Sequence, residues 1–409
     1  MKKRTKLNNI DITVTSLPNE LISRTLSHLN LYSLKCLSKN KYCNNFIANS
    51  NLLWKQKYKN LNDKSLFEIK EEVKNKYLMH KIWLKGEEKR VTLNCEQTDI
   101  TQLKIHNGLI ITSSDDRTIK IFPTKNDTVK TFTGHTAGVW CFDVYDKYLV
   151  SGSIDKTVRI WNLESGNLEV ILTGHLSTVR SIKVYKNYVA SGSRDATIKI
   201  WKNGELIHTL KRHSLSVRTL DMNEKYLLSG SYDGTVTLWN YRTGIVIKNL
   251  QTHLSRVYIV LLGKRFIVSG SQDGTINVSN YDGKLLYSLK GHRRIVTILK
   301  FETRKFYDEE RYLISSGEDG VVNKWDLFTG EMEFTIKETG YISAMDIGNG
   351  IIFVGLANQV KAYKLRNGKF IKNVLSNVTL LSGIECSEDK LIIAYKKGVH
   401  TKLDVISFV

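Results

Sequence analysis

Proline is almost missing from this chain: Pro18 and Pro123 are the only two in 409 residues, which excludes a proline-rich flexible linker. Cysteine is sparse and scattered. Cys36, Cys43, Cys95, Cys141 and Cys386 form no CxxC pair and have no histidine partners at metal-ligand spacing, so reduced, structural thiols are expected, with no metal and no cofactor. No run of eighteen apolar residues occurs, and the first thirty residues lack the charged, apolar and small-residue regions of a secretory signal; the chain reads as soluble and intracellular, with no membrane span. Paired carboxylates, a nucleophile elbow and a phosphate loop are missing too, so no catalytic step is expected in this chain. Acidic residues are the minority, 40 against 61 lysines and arginines, and the net charge of +21 calls for an acidic partner. Nucleic acid, an anionic surface and an acidic or phosphorylated protein all satisfy that requirement.

What is present is a repeat. A block of about 40 residues recurs from position 98 to the end. One copy reads GHTAGVWCFDVYDKYLVSGSIDKTVRIW, from Gly134 to Trp161, and the next reads GHLSTVRSIKVYKNYVASGSRDATIKIW. The pairs His135–Asp155, His175–Asp195, His213–Asp233 and His253–Asp273 are each 20 residues apart, whereas His292 to Asp319 is 27, through an insertion in FETRKFYDEERYLIS. Six residues beyond the Asp stands an aromatic: Phe122, Trp161, Trp201, Trp239 or Trp325. A loop His, a strand Ser, a turn Asp and a strand Trp at fixed spacing describe one buried hydrogen-bonded set per repeat.

These repeats resemble the WD-repeat family, whose units are four-stranded blades of a β-propeller. The fold class expected is therefore mainly β. Second strands GLIITS, KYLVSGS, NYVASGS, KYLLSGS, RFIVSGS, RYLISS, GIIFVGL and DKLIIAY count eight blades; seven, with the weak final copies folded differently, is the alternative. The last cycle ends on its third strand, VHTKLDVISFV, and the spare strand KRVTLN, Lys89–Asn94, is expected to complete that blade and remove the open sheet edge. The fifth copy has Ser279 in place of Trp, and the first and seventh lack the loop His. Those three blades are expected to be held mainly by apolar packing.

Ahead of the propeller (89–409) come a basic tail (1–15), a small all-α module (16–58) and a charged helical linker (59–88). In the module, Leu17, Leu21, Ile22, Leu26 and Leu29 recur at helical spacing, Pro18 suits a first helical turn, and Leu31 and Leu34 open a second set. LPNEL, the spaced leucines and the closing pair Leu53–Trp54 resemble the F-box, which implies docking on a Skp-type adaptor and through it on cullin and RING subunits. A helical cap packed on the propeller is the alternative. MKKRTK is either a nuclear-import signal or a solvated tail, and a nuclear and cytoplasmic location, nucleus favoured, is expected. No dimerising segment is evident ahead of the F-box.

The ligand surface is expected on one rim of the propeller, at two positions per repeat. Five residues after the loop His stand Trp140, Arg180, Arg218, Tyr258 and Thr297; one before the turn Asp stand Asp115, Ile154, Arg194, Tyr232, Gln272 and Glu318. Three arginines and three aromatics thus fall on neighbouring repeats, and planar guanidinium donors match the oxygens of a phosphate. The run from 134 to 278 resembles the cell-cycle F-box/WD-repeat receptors that read phosphodegrons. That resemblance implies a phosphate held by Arg180, Arg194 and Arg218, with Ser177, Thr178, Arg256 and Tyr258 lining the pocket; by their column positions, Trp140 and Tyr232 are expected to pack the apolar residue or proline beside it. Lys156, where the family often has Arg, is a weaker match for a second phosphate. The competing reading is a scaffold that binds nucleic acid or a protein assembly, with the arginines as ordinary surface charge.

Overall fold

The computed structural model describes residue 83 and residues 88–95, 97–123, 128–250, 253–302 and 310–408. The chain divides into two compact units, residues 1–77 with 303–309, and residues 78–302 with 310–409. The described residues all belong to the second. The F-box expectation, with Leu17, Pro18, Leu21, Ile22, Leu26, Leu29, Leu31, Leu34, Leu53 and Trp54, lies outside them, as does the linker apart from Trp83 and Glu88.

Among the described residues, thirty-two strands form eight separate four-stranded antiparallel sheets. This is an eight-bladed propeller, so the seven-blade alternative is set aside. Blades one to eight have as their innermost strands Ile100–His106, Val139–Tyr145, Val179–Tyr185, Val217–Met222, Val257–Leu262, Val296–Phe301, Ile342–Gly348 and Leu380–Cys386. The second strands are buried almost throughout, as in Leu227–Ser231, while the outermost show only an occasional buried residue, as in Leu168–Leu172. Strands with neighbouring blades on both faces read as continuous apolar or small runs, and edge strands do not.

Hydrophobic packing sits between blades, in clusters that each join two neighbours. One combines Ile111 and Ile119 of blade one with Phe142 and Trp161 of blade two. The next combines Cys141 and Val150 with Val179 and Trp201. The glycine of each SGS strand makes this approach possible: a Cβ on Gly152 would stand 2.5 Å from Val179 Cγ1, and one on Gly192 2.8 Å from Val217 Cγ1. Trp83 is fully buried against blades seven and eight, its ring 5.5 Å from that of Phe353.

The ring closes as the spare strand suggested. Glu88–Asn94 pairs antiparallel with His400–Phe408, Leu93 opposite Leu403, and starts one residue earlier than expected. Asp404 is buried at this seam and accepts hydrogen bonds from Thr92 (2.7 Å) and Tyr395 (3.1 Å). Arg90 ties the seam to blade seven by donating to the Val374 carbonyl at 2.6 Å. Pairing the last sheet this way satisfies backbone groups that an edge would leave open.

The polar sets form as spaced. His135 reaches Asp155 at 2.7 Å and Ser151 at 2.8 Å, and Trp161 donates to the same Ser151 hydroxyl at 2.9 Å. His175, Ser191, Asp195 and Trp201 repeat this, as do His292, Ser315, Asp319 and Trp325. Blades one, five and seven add polar contacts of their own to the apolar packing expected of them. In blade one Gln97 takes the role of the histidine, accepting from Thr112 (2.6 Å) and donating to Thr118 (3.0 Å). In blade five His253 keeps Ser269 and turns to Thr275 at 2.9 Å, with Asp273 3.8 Å away. In blade seven Glu338 pairs with Lys361 at 2.7 Å and accepts from the Tyr363 hydroxyl. A buried polar site is filled by whatever residue completes its bonds.

A second polar pattern links the innermost strands at one equivalent position, occupied in order by Lys104, Asp143, Lys183, Asp221, Leu261, Lys300, Asp346 and Glu385. Each Asp ties three blades together. Asp221 pairs with Lys183 of blade three at 3.0 Å and accepts from the Leu262 N–H of blade five at 2.8 Å; Asp346 does the same with Lys300 and the Cys386 N–H. Glu385 is the surplus carboxylate. Burial pushes it up to about 7, Lys300 opposing and Asp346 reinforcing the shift. A carboxyl that holds its proton in the folded state and loses it near pH 4.3 when unfolded subtracts stability as pH rises from that value toward 7. Glu385→Gln is therefore expected to raise the melting temperature at pH 8 and to leave it nearly unchanged at pH 4.5, measured by thermal denaturation across that range.

Candidate functional site

The innermost strand of every blade carries one extra residue at its start, because the register to the second strand slips there. In blade three Val179 faces Ser193 and Ser181 faces Gly192, which leaves Arg180 as the bulge residue. The same slip isolates Thr101, Trp140, Arg218, Tyr258, Thr297, Ser343 and Ser382. A bulge turns a side chain out of the ladder and re-aims it, so these eight residues form one circle. Counting from the loop His found five of them. Thr101, Ser343 and Ser382 were missed because their blades lack that His; the β-branched or leucine residue opening each strand is the signal that marks them.

The turn residues come to the same rim. The backbone N–H of Arg194 donates to the Thr178 carbonyl at 2.9 Å, that of Tyr232 to Ser216, and that of Gln272 to Arg256. Each turn is thus pinned to its own His loop. The loop is pinned a second time by Ser193 Oγ, which donates to the Ser177 carbonyl at 3.0 Å. Ser177 and Thr178 therefore serve the site first through their backbones. Lys156 and Ala196, one residue after the turn Asp, sit at φ 71° and 67°, where blades four to six have glycine; Lys156 is exposed on this rim.

Around Arg180 the predicted residues gather. Its guanidinium lies over the Trp140 ring, 4.1 Å from the centroid, and Trp140 Nε1 donates to Asp115 at 3.1 Å. Tyr232 and Tyr258 pack with ring centroids 5.3 Å apart, and Arg256 covers the Tyr232 ring at 5.2 Å. Burial lowers the proton affinity of Arg180, Tyr232 opposes that, and the neighbouring charges of Arg218 and Arg194 add to it. All three guanidiniums therefore share one electrostatic neighbourhood, with no acidic partner among the described residues. Arg180 Nε is buried and has no hydrogen-bond partner. Arg194 is exposed, whereas Arg180 and Arg218 are partly buried, and like charge clustered around a partly desolvated guanidinium is unfavourable until an anion fills it. Trp140 and Tyr232, expected to pack a ligand residue, first of all hold Arg180 and Arg256 in place by cation–π contact.

Residues 126–162, 166–202, 204–240 and 283–326 match the WD domain, G-beta repeat family model. The propeller is built from WD repeats. Among similar proteins, the WD repeat-containing protein pop2 of Schizosaccharomyces pombe is 46% identical over 66 residues, 16% of this chain and 9% of that protein. Cell division control protein 4 of Saccharomyces cerevisiae is 26% identical over 126 residues, 30% of this chain and 15% of that protein. Eukaryotic translation initiation factor 3 subunit I of Homo sapiens is 32% identical over 89 residues, 20% of this chain and 27% of that protein. In each case the match spans less than a third of the relative. The crystal structure of the computationally designed Ika8 protein superposes with a TM-score of 0.68 at 27% identity, over 80% of this chain and 98% of that one. WD-repeat propellers are in general non-catalytic platforms that bind other proteins.

The rim depends on the buried turn carboxylates. Burial alone would push Asp195 up, but hydrogen bonds from His175 and Thr197 outweigh it and hold the group well below the usual carboxylate range. Its contribution is present above the unfolded value of about 3.9 and is lost as pH falls toward the lower folded value. Asp195→Asn should lower stability at pH 7 and flatten the acid limb of the stability curve, as measured by urea denaturation between pH 3 and pH 7.

Proposed function

We propose that this protein is the substrate-recognition subunit of an SCF-type ubiquitin ligase, its propeller rim binding phosphorylated degrons of proteins to be ubiquitinated and degraded. The observation that carries this reading is Arg180: half-buried, its Nε without a partner, stacked on Trp140 and flanked by Arg194 and Arg218. A phosphate brings two negative charges and three acceptor oxygens to that cluster. A singly charged carboxylate would leave the trio under-neutralised. Support comes also from the sequence resemblance of 134–278 to phosphodegron receptors, and from the similarity to cell division control protein 4.

In this reading the F-box of residues 16–58 docks a Skp-type adaptor, and cullin and RING subunits supply the catalytic step. The protein would work in the nucleus and the cytoplasm, with the nucleus favoured by the basic opening MKKRTK. Recognition needs no cofactor: Arg180, Arg194 and Arg218 hold the phosphate, Ser177 and Thr178 border it, and Tyr232, Arg256 and Tyr258 wall the blade-five side.

Binding of a Thr-Pro peptide with and without phosphate, alongside a nucleic-acid duplex, tests this directly. Phosphate-dependent binding is expected, weakened by about 2 to 5 kcal/mol in each of Arg180→Ala, Arg194→Ala and Arg218→Ala, since truncating one partner of a desolvated charge pair has that cost. Binding unchanged in all three variants would reject the pocket. Duplex binding that needs no phosphopeptide and falls steeply with salt would favour the scaffold reading. Co-purification of the full chain with a Skp-type adaptor should be lost when Leu17 and Pro18 are both replaced by Ala, and persistence of the adaptor would count against the F-box.

A further inference from the structure

Opposite the arginine rim the propeller presents a second face, made by the turns at the other end of the strands. In blade three the innermost strand runs from Val179, at the rim, to Tyr185, and the turn Lys186–Asn187 returns the chain to Tyr188, the cross-strand partner of Tyr185. At about 3.3 Å per residue, Tyr185 lies roughly 16 Å along the strand from Arg180. Blade two is built alike, with Tyr145 opposite Tyr148 across Asp146–Lys147. The equivalent turns of blades one and seven, Asn107–Gly108 and Asn349–Gly350, bear neither ring nor cation.

From blade two to blade six this face carries a chain of ring pairs, each bridging two neighbouring blades. Between centroids, Tyr145 and Tyr185 are 6.0 Å apart, Tyr188 and Tyr241 5.1 Å, Tyr226 and Tyr281 5.3 Å, and Phe266 and Phe328 5.8 Å. Cations lie over the rings: Lys186 over Tyr185 at 5.6 Å, Lys202 over Tyr188 at 5.3 Å, Arg242 over Tyr241 at 5.6 Å and Lys147 over Tyr148 at 5.6 Å. Tyr241 and Tyr281 serve the fold, donating to the Glu224 and Gly263 carbonyls. The hydroxyls of Tyr145, Tyr148, Tyr185, Tyr188 and Tyr226 have no hydrogen bond among the described residues, and Tyr148 is 37% exposed. In the turns nearest the channel Lys147, Lys186, Lys225, Lys264 and Arg265 outnumber Asp146 and Glu224, all of them exposed. Glu164, Glu205 and Asp282 stand farther out, where the chain enters the outermost strands. Among the described residues Lys147, Lys186, Lys202 and Lys225 form no ion pair.

We propose that this opposite face binds single-stranded nucleic acid along blades two to five, unpaired bases stacking on the tyrosine rings and phosphates meeting the lysines between them. Rings alternating with uncompensated cations suit a flexible polyanion that carries a flat face on every unit. An exposed cation–π contact is weak compared with base stacking, so a base displaces a lysine from its ring and leaves the ammonium beside a phosphate. A duplex offers the phosphates without free base faces. The site is separate from the phosphopeptide pocket and does not depend on that reading, so one molecule holds both ligands.

Fluorescence anisotropy with the full chain tests this. The probes are a labelled single strand of about 12 nucleotides, as RNA and as DNA, a duplex, an abasic oligomer of the same length and a polyglutamate peptide. The single strands are expected to bind more tightly than the other three, to stay bound when phosphothreonine peptide is added, and to show by their ratio whether RNA or DNA is preferred. Tyr148→Ala, at an exposed position, should weaken single-strand binding about tenfold. Lys147→Ala/Lys186→Ala/Lys202→Ala should reduce the slope of log affinity against log salt by about 2, three phosphate contacts at roughly 0.7 each, with the melting temperature unchanged. Arg180→Ala/Arg194→Ala/Arg218→Ala should leave the single strand bound. No binding of either single strand, equal binding of the abasic oligomer or of polyglutamate, or loss of binding in the arginine variant but not in the lysine variant overturns the site and leaves the phosphopeptide pocket standing. Failure of the phosphothreonine peptide to bind overturns the pocket alone.

Discussion

In blades one to seven the structure depends on one buried imidazole, or its substitute. In blades two, three, four and six a histidine joins the turn Asp to the hydroxyl of a strand Ser, and the strand Trp closes the set on that same hydroxyl. Each of these groups would be costly to bury alone, so the loop, the turn and two strands are locked together or not at all. The arrangement of the rim is a consequence of that lock. The loop fixes the start of the innermost strand, the turn is pinned to the loop through backbone bonds such as Arg194 N–H to Thr178 O, and the side chains between them acquire fixed directions.

Given this frame, the chemistry of the site is a matter of which residues occupy two columns. The bulge at the start of each innermost strand supplies one column, and the residue before the turn Asp supplies the other. On blades three and four these columns hold Arg180, Arg194 and Arg218, and the charges of the last two bear on the first. Aromatic neighbours then support the arginines: Trp140 lies under Arg180, and Tyr232, itself packed on Tyr258, lies under Arg256. Blade one ends the arc with a carboxylate, Asp115, bonded to Trp140. The arginine cluster is thus bounded on that side.

Much of the fold was legible in the sequence because the physics repeats. Twenty residues from His to Asp in four repeats, and six from Asp to Trp in four, are distances along a blade, and such sets identify a propeller without any coordinates. Ring closure was legible as well, since an unpaired edge and a spare strand call for each other. The substitutes were not legible. Gln97 of blade one, Glu338 of blade seven and the shift of His253 from Asp273 to Thr275 satisfy buried groups with other residue types, and spacing rules written for histidine pass over them. The bulge residues Thr101, Ser343 and Ser382 escaped for the same reason. The Lys–Asp pattern that ties blades three at a time was invisible because its partners lie in different repeats, some 40 residues apart.

On the phosphodegron reading, three guanidiniums share one spot and a phosphoryl group completes it. Arginine Nε–Hε resonances report this most directly, in proton–nitrogen spectra of the protein titrated with a phosphothreonine peptide and with its unphosphorylated twin. The Arg180, Arg194 and Arg218 signals, assigned by substitution, are expected to move together and only with the phosphorylated peptide, Arg180 most of all because its Nε has no partner beforehand. Tight, phosphate-dependent binding that leaves all three signals where they were would contradict this reading.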